Sequence, residues 1–464
     1  MKEESKLTRR CNQIVFSFIA MVLITFSSLL QASPLSKEEQ AHVIIVTSPT
    51  AQKLQKLADD IGTDIYFYVE GLTGRLGSLV DRNGNTLFSP SVVVYGKNGR
   101  ISATSSIPRL TVLLSDSGEV LISIGGGNVK LTSEIITNLK SAQYLSFWSV
   151  DYLFDKLDLS QFSNLKAIEL MWGEIISLDL PADGQLINVN IENYSLEIIN
   201  NFDKQQKLQV LHLSVENSIG YKKLENSSSL EVFKLWMGKD SIDVSKIVNL
   251  KSLSIFNVEY NSIKNVVQLD NIKSLTFWWA KDERISTISL PKSVEVFAMI
   301  VSSREAIMPL VNLPKLKKVI INSDTIRGLP KFESIPTLEN LPQLETLEIS
   351  DSKLTSLDGI EKLTSLKYVR FENNEITDIS ALYPLENLIK VDLSQNKITE
   401  LDDLGKKPNL NVVRLNFNPI EAFDFEMVSN YPYCAFTITG TPFIRNAPKE
   451  DKLKLKNLWQ KGHL

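Results

Sequence analysis

Residues 366–380 read LKYVRFENNEITDIS, and residues 388–401 repeat the same pattern as LIKVDLSQNKITEL. Related stretches begin at Leu344 and Leu410, and the four copies start 22 residues apart. With the first leucine of each copy counted as position 1, apolar residues recur at positions 1, 4, 6 and 11. Four copies in phase indicate an architecture built from stacked repeats.

The apolar spacing within each copy has a physical cause. Side chains alternate along a strand, so positions 4 and 6 point inward when positions 3, 5 and 7 point outward. Stacked units bury a continuous core that no unit could bury alone, and their strands pair side by side. The pattern resembles the leucine-rich repeat. The resemblance implies an α/β solenoid with a parallel sheet on its concave side, in which Asn at position 9 bonds to backbone groups of the turn.

The repeat frame extends upstream through less regular copies. A step of 28 residues leads from Leu344 back to Leu316, and steps of 20 to 23 residues continue to Ala142. With a degenerate last unit at Tyr433, we count about fourteen repeats between residues 132 and 446. The units before residue 344 are expected to be less regular, because none of them carries Asn at position 9. The intermediate copies begin at Leu165, Leu186, Leu208, Leu230, Leu250, Ile272 and Val294.

A second motif follows the strand in the clearest repeat. Residues 374–379 read Asn-Glu-Ile-Thr-Asp-Ile, which fits N-x-I-x-D-I. Together with the 22-residue period, the motif resembles bacterial internalin-like leucine-rich-repeat proteins. The resemblance covers residues 344–423 well and residues 142–343 loosely. It implies that the concave sheet binds a protein partner.

The N-terminus differs in composition from the rest of the chain. A basic start precedes an apolar stretch at residues 14–30. We interpret residues 1–32 as a secretory signal peptide cleaved after Ala32. The alternative is an uncleaved membrane anchor, because the stretch is close to the shortest that can span a bilayer. Cleavage would give an exported bacterial protein, periplasmic, surface-associated or secreted, without a stable membrane span.

Two further segments flank the repeats. Residues 33–131 contain strand-like runs and three turn-centred segments, which predict a small β-rich domain. Helical spacing at residues 50–60 adds at least one helix to it. Residues 447–464 are basic and predict a helical cap over the end of the repeat core.

Composition argues against several classes of function. A net charge of −4 without an extended basic run disfavours nucleic acid as a partner. Three widely separated histidines and two cysteines offer no metal-ligand spacing, so no metal or cofactor is expected. We interpret Cys434 as a buried, inert residue. The glycines at residues 71–77 and 125–127 lack the following helix of a phosphate-binding loop, and we interpret them as turns.

Aromatic residues concentrate at the outward positions of the strands. Five of the six tryptophans stand at position 7 or 8 of a repeat. Neighbouring strands lie about 4.8 Å apart, so these side chains are expected to form a ladder, and apolar surface of that extent is typical of a binding site. The ladder that we expect to anchor a partner comprises Trp236, Met237, Phe256, Trp278, Trp279 and Ile300. A second patch comprises Trp148, Met171 and Trp172.

Three alternatives compete with a binding role for the aromatic ladder. The rings could stack to stabilise an irregular solenoid, or the N-terminal domain could fold over them. A frame error of one residue would turn the ladder into core.

The later repeats present charge where the earlier ones present aromatic rings. Mixed charges of this kind form either a solvated surface or a rim that contributes specificity and association rate. The rim residues are Glu348, Arg370, Glu372, Lys390, Asp392 and Arg414.

The sequence therefore predicts an exported, non-enzymatic protein-binding module whose partner is a host or envelope protein. A second hypothesis is a carbohydrate-binding protein, because aromatic ladders also stack on sugar rings. A third is an enzyme with its site in residues 34–131, where no pairing of nucleophile and base is found.

Overall fold

The computed structural model describes most of the repeat region and parts of the N-terminal region. The described residues are 64–69, 78–81, 92–94, 101–103, 109–114, 120–125, 130–215, 228–236, 242–243, 247, 249–256, 263–280, 288–301, 308–323, 332–401 and 403–460. The predicted signal peptide and the predicted helix at residues 50–60 lie outside them. The chain divides into one unit of residues 1–90 with 111–118 and a second unit of residues 91–110 with 119–464.

The described residues before the repeats form short strands. In the first unit, strand β1 (Asp64–Val69) pairs antiparallel with β2 (Ser78–Asp81). In the second unit, β3 (Val92–Val94) pairs antiparallel with β4 (Ile101–Ala103). Strand β5 spans Arg109–Leu114.

A ladder of parallel strands with short return strands makes up the repeat region. The ladder strands are β6 (Val120–Gly125), β8 (Tyr144–Trp148), β11 (Ala167–Met171), β13 (Asn188–Glu192), β15 (Val210–Ser214), β16 (Val232–Trp236), β18 (Ser252–Phe256), β20 (Ser274–Ala280), β21 (Val296–Val301), β23 (Lys318–Ser323), β25 (Thr346–Ser350), β26 (Tyr368–Arg370), β27 (Lys390–Asp392), β28 (Val412–Arg414) and β29 (Ala435–Thr437). The return strands are β7 (Lys130–Leu131), β9 (Asp151–Tyr152), β10 (Lys156–Asp158), β12 (Ser177–Asp179), β14 (Ile198–Asn200), β17 (Ile242–Asp243), β19 (Ile263–Lys264), β22 (Leu310–Val311) and β24 (Leu338–Glu339).

Strand β6 pairs in parallel with β8, and Ile122 and Ile124 lie opposite Leu145 and Phe147. The parallel sheet of the repeat region therefore begins upstream of residue 132, the predicted start of the repeats. Each later ladder strand pairs in parallel with the next. The parallel solenoid predicted from the sequence is confirmed.

Burial follows the predicted repeat frame. Every described residue at positions 4 and 6 is buried, from Leu145 and Phe147 to Phe436 and Ile438. Position 1 is buried from Ala142 to Leu410. The irregular early units therefore share one core with the regular ones.

The last unit departs from the frame. Tyr433 was assigned to the inward position 1, but it is 86% exposed. Cys434 is buried instead, and its amide donates to the Tyr431 carbonyl at 3.0 Å, as the Leu410 amide donates to the Lys407 carbonyl at 3.1 Å. Burial raises the pKa of the Cys434 thiol to about 12, which keeps it protonated and unreactive.

Helices contribute little within the described residues. Helix α1 spans Ser133–Asn138, and α2 (Phe425–Ser429), α3 (Pro442–Asn446) and α4 (Lys449–Gln460) lie near the C-terminus. Three short 3-10 helices occupy Phe202–Lys204, Val266–Gln268 and Ser380–Leu382.

The C-terminal helix contacts the neighbouring helix through charge and an aromatic ring. The Lys454 ammonium of α4 lies 5.3 Å from the centre of the Phe425 ring in α2. Leu453, an apolar residue of the predicted cap, is 60% exposed. Within the described part of the chain, the helices lack the length and the hydropathy needed to cross a membrane.

Three buried asparagines bond successive turns together in the regular repeats. The Asn396 side-chain amide donates to the carbonyls of Phe371 and Leu393 at 2.8 and 3.0 Å, and its oxygen accepts from the Ile376 amide at 3.1 Å. Asn374 and Asn418 make the equivalent bonds. Each asparagine therefore satisfies backbone groups of its own turn and of the preceding repeat, as predicted for position 9.

We expect Asn396→Ala to lower the free energy of unfolding by about 3 kcal/mol, because it leaves several buried backbone groups without partners. Urea denaturation followed by circular dichroism measures the loss. The matched control is Asn387→Ala, which removes one exposed bond to the Thr364 carbonyl and should cost about 0.5 kcal/mol or less. Equal losses for the two variants would contradict this role of Asn396.

Candidate functional site

Backbone register places the residues of the aromatic ladder on neighbouring strands. Trp236 lies opposite Ser214, and Phe256 lies opposite Trp278. The side chains of Trp236, Phe256, Trp278 and Trp279 lie outside the described part of the structure, as does the whole of Met237. Their outward orientation stays a prediction.

A β-bulge coincides with the tryptophan pair of β20. Phe277 lies opposite Met299 and Ala280 lies opposite Val301, so Trp278 and Trp279 together face the single residue Ile300. Ile300 is half-buried. A bulge bends its strand and changes the direction of the side chains beside it, so the geometry of the ladder is locally irregular at this point.

The second predicted patch is described in full. Trp148 and Met171 lie opposite each other on β8 and β11, and both are half-buried on the outward face. Trp172 follows at the end of β11 and is 58% exposed. The structure therefore brings together all three residues that the sequence predicted for this patch.

Trp172 occupies a left-handed turn that recurs along the solenoid. Its φ is 56°, and its amide donates to the Glu192 carbonyl of the next repeat at 2.9 Å. A bulky side chain rarely adopts this region. Position 8 has positive φ in other described repeats as well, at Ser149, Asp351, Asn373, Gln395 and Phe417.

The residue after Trp172 shows how this turn is supported. Gly173 stands at position 9, where the regular repeats carry Asn, and a Cβ there would lie 2.3 Å from a ring carbon of Tyr152. The Tyr152 ring thus fills the space beneath the turn. It packs edge-on against Phe147 and Phe154, with ring centres 6.2 and 5.5 Å apart. A larger residue at this position would therefore have to displace the Tyr152 ring.

Glu192 connects Trp172 to a second exposed aromatic residue. Its Oε1 accepts from the Trp172 Nε1 at 2.8 Å and from the Tyr194 hydroxyl at 3.2 Å. Tyr194 is 42% exposed, and partial burial together with the charge of Glu192 raises the pKa of its phenol. We name Trp172, Glu192 and Tyr194 the aromatic–carboxylate cluster.

Sequence reasoning omitted Glu192 and Tyr194 from the site. The available signal was an aromatic residue at position 9, where the frame expects Asn, one repeat after a tryptophan at position 8. Tyr194 is two residues from Glu192, whereas Trp172 is twenty residues away and reaches Glu192 only through the register of neighbouring strands.

The predicted rim is largely paired within the chain. Lys318 bonds to Glu348 at 2.7 Å, Arg370 forms an ion pair with Glu372, and Arg414 lies 3.3 Å from the buried Asp392. The Ser394 hydroxyl also donates to Asp392. Lys390 is half-buried and lines a shallow depression with Tyr368 and Arg370. Exposed pairs of this kind contribute little to stability, and their charges are mostly neutralised.

The described residues contain no group of three or more His, Cys, Asp or Glu side chains placed to hold a metal ion.

Comparison with known proteins locates a family match on the regular repeats. Residues 342–384 and 386–426 match the family model described as leucine rich repeats (2 copies). These segments contain the copies from which the repeat frame was set, and the prediction of leucine-rich repeats is confirmed there. No curated protein matches the sequence.

Solved structures with similarity to the chain include bacterial leucine-rich-repeat proteins. The internalin InlF of Listeria monocytogenes is 19% identical, with 69% of this chain and 80% of that chain covered and a TM-score of 0.39. The functional domain of InlJ from Listeria monocytogenes is 18% identical, with 70% and 71% covered and a TM-score of 0.42. A leucine-rich-repeat protein of Leptospira interrogans is 16% identical, with 71% and 97% covered and a TM-score of 0.41.

We expect Trp172→Asn to raise the free energy of unfolding by up to about 1 kcal/mol, because Asn adopts the left-handed region at a lower cost than Trp. Urea denaturation measures the change. Trp172→Phe is the matched control, since it keeps a bulky ring in the same conformation and should leave stability nearly unchanged. A loss greater than about 1 kcal/mol in Trp172→Asn would mean that the indole holds the fold together.

Proposed function

We propose that this internalin-like leucine-rich-repeat protein is an exported, non-enzymatic binding protein, and that it presents the outward face of its parallel sheet to a protein partner. Its solenoid fold is typical of protein-interaction modules, because stacked repeats create extended, rigid surfaces. The partner is a host or envelope protein.

The observation that carries the proposal is the exposure of Trp172 beside Trp148 and Met171. The core positions of the same strands are already filled by residues such as Phe147 and Leu170. The patch is therefore not needed to fill the core. Soluble proteins rarely expose a group of aromatic side chains to solvent unless it serves as a binding surface. Tryptophan is also enriched among residues that supply most of the binding energy at interfaces.

The aromatic ladder adds to this surface if the strand alternation holds. Leu235 precedes Trp236 and Phe277 precedes Trp278, and both preceding residues are buried. Successive side chains of a strand point to opposite faces, so the two indoles are expected to face outward, with the bulge at Trp278 and Trp279 as the point of irregularity. A rigid backbone behind such rings lowers the entropy cost of binding.

Site-specific photocrosslinking tests where the partner binds. A photoreactive phenylalanine at Ser214, which is half-buried on the outward face beside Trp236, is expected to crosslink a protein from host-cell or envelope extracts. Ile198 on return strand β14 is the matched control, since it is exposed but lies away from the main sheet, and should yield no crosslink. The crosslink at Ser214 is expected to fall roughly tenfold in Trp236→Ala and Trp278→Ala chains.

Two outcomes would contradict the protein-binding proposal. Equal crosslinking from Ser214 and Ile198 would mean that the sheet face has no special role. Binding on a glycan array that the same alanine substitutions abolish, without any protein crosslink, would instead support the carbohydrate alternative.

Export is tested by the mass of the mature chain. We expect mass spectrometry of fractionated cells to find a chain that begins at Ser33, in the periplasm, at the surface or in the medium, because signal cleavage follows small residues. A chain in the membrane fraction that retains residues 1–32 would contradict cleavage.

A further inference from the structure

We propose that the aromatic–carboxylate cluster of Trp172, Glu192 and Tyr194 is a subsite for an arginine side chain in a basic segment of the partner protein. This inference rests on the proposed function and adds to it the chemistry of the ligand. Three features of the described residues support it: the geometry of the carboxylate, the exposure of the rings and the charge of the surrounding surface.

The carboxylate of Glu192 is fixed in place with one oxygen left available. Oε1 accepts from both Trp172 Nε1 and the Tyr194 hydroxyl. Within the described residues, Oε2 accepts no hydrogen bond and Glu192 forms no ion pair. A negative charge is thus held between two aromatic rings, and within the described residues no lysine or arginine pairs with it.

The two rings offer the complementary surface for a planar cation. Trp172 is 58% exposed and Tyr194 is 42% exposed, although aromatic rings gain free energy from burial. A guanidinium group can stack on the indole face while its N–H groups donate to Glu192 Oε2. The hydrogen bonds from Trp172 and Tyr194 to Glu192 Oε1 hold the two rings in position before a ligand arrives.

Charge around the cluster distinguishes it from the rest of the sheet. The strand-and-turn segments 144–153, 167–176 and 188–197 contain five acidic residues and no lysine or arginine. The equivalent segments 346–355, 368–377 and 390–399 contain five acidic and four basic residues. In the second region Arg370 pairs with Glu372, whereas the segments of the first region carry five negative charges and no positive one.

This charge difference favours a basic protein segment over a sugar. Stacking alone would suit either ligand, but a neutral sugar gains nothing from net negative charge. A cationic segment gains attraction from every acidic residue of the region and is steered towards it during association.

Fluorescence anisotropy with the intact chain tests the subsite. The probe is a labelled peptide of glycine, serine and arginine, and its control is the same peptide with citrulline, a neutral isostere, in place of arginine. We expect the arginine peptide to bind in a salt-sensitive manner and the citrulline peptide to bind at least roughly tenfold more weakly. Glu192→Gln, which keeps the acceptor oxygen but removes the charge, should weaken arginine-peptide binding by a similar factor.

Two further variants complete the experiment. Trp172→Leu should also weaken binding roughly tenfold, because it removes the stacking surface. Glu345→Gln is the matched control, because this half-exposed glutamate pairs with Lys367 at 2.7 Å and lies outside the predicted rim, and it should change binding less than about twofold. Circular dichroism of each variant verifies that the solenoid is intact.

Three results would overturn the subsite: no binding of the arginine peptide, equal binding of the citrulline peptide, or an unchanged affinity in Glu192→Gln. A glycan ligand that depends on Trp172 but not on the charge of Glu192 would do so as well. Failure of this inference differs from failure of the proposed function. If Glu192→Gln leaves the Ser214 crosslink intact while Trp236→Ala removes it, the partner binds the sheet without using the cluster.

Discussion

The solenoid depends on inward side chains stacking in register from one strand to the next. Phe147 lies opposite Ile124 on one side and Leu170 on the other, and Leu170 lies opposite Ile191. All four are buried. A slip of one residue in any strand would move its apolar pair to the outward face. Register therefore fixes the core and also decides which residues become neighbours on the outward face.

Closure of the turn after each strand differs between the regular and the irregular repeats. Asn374, Asn396 and Asn418 use one side chain each to satisfy groups of two repeats. Upstream, Ser352 bonds to Ser323 and to the Ser350 carbonyl, and Gly173 leaves the space to Tyr152. Where Asn is replaced, position 9 can carry a residue such as Tyr194. Loss of the position-9 asparagine therefore lets an aromatic side chain stand at that position.

The buried half of the repeats was predictable because burial is periodic in sequence. Positions 4 and 6 can be assigned from apolar spacing alone, and the frame held as far back as Ala142. The repeat frame did not include strand β6, because Glu119 occupies position 1, where a leucine is expected. Ile122 and Ile124 nevertheless occupy positions 4 and 6. The sequence alone does not decide between Tyr433 and Cys434 for the inward position, because both residue types occur at apolar positions. The structure shows that Cys434 is the buried one.

The outward residues were harder to predict, because several of their interactions cross between strands. The bond from Trp172 to Glu192 and the ion pair of Lys318 with Glu348 join residues 20 and 30 positions apart. No pattern within one repeat specifies these two. The left-handed conformation of Trp172 was also hard to predict, since position 8 elsewhere carries Ser, Asp, Asn, Gln and Phe, a set that includes both polar and aromatic side chains.

The recurring left-handed turn has a consequence for how such a chain diversifies. The residue at position 8 has a φ between 50° and 60° whether its side chain is small, charged or aromatic. A substitution there therefore changes the chemistry of the surface while the backbone conformation is kept. The chemistry of this edge can therefore change by substitution in one repeat at a time. Natural variation or protein engineering can alter these residues without redesigning the strands behind them.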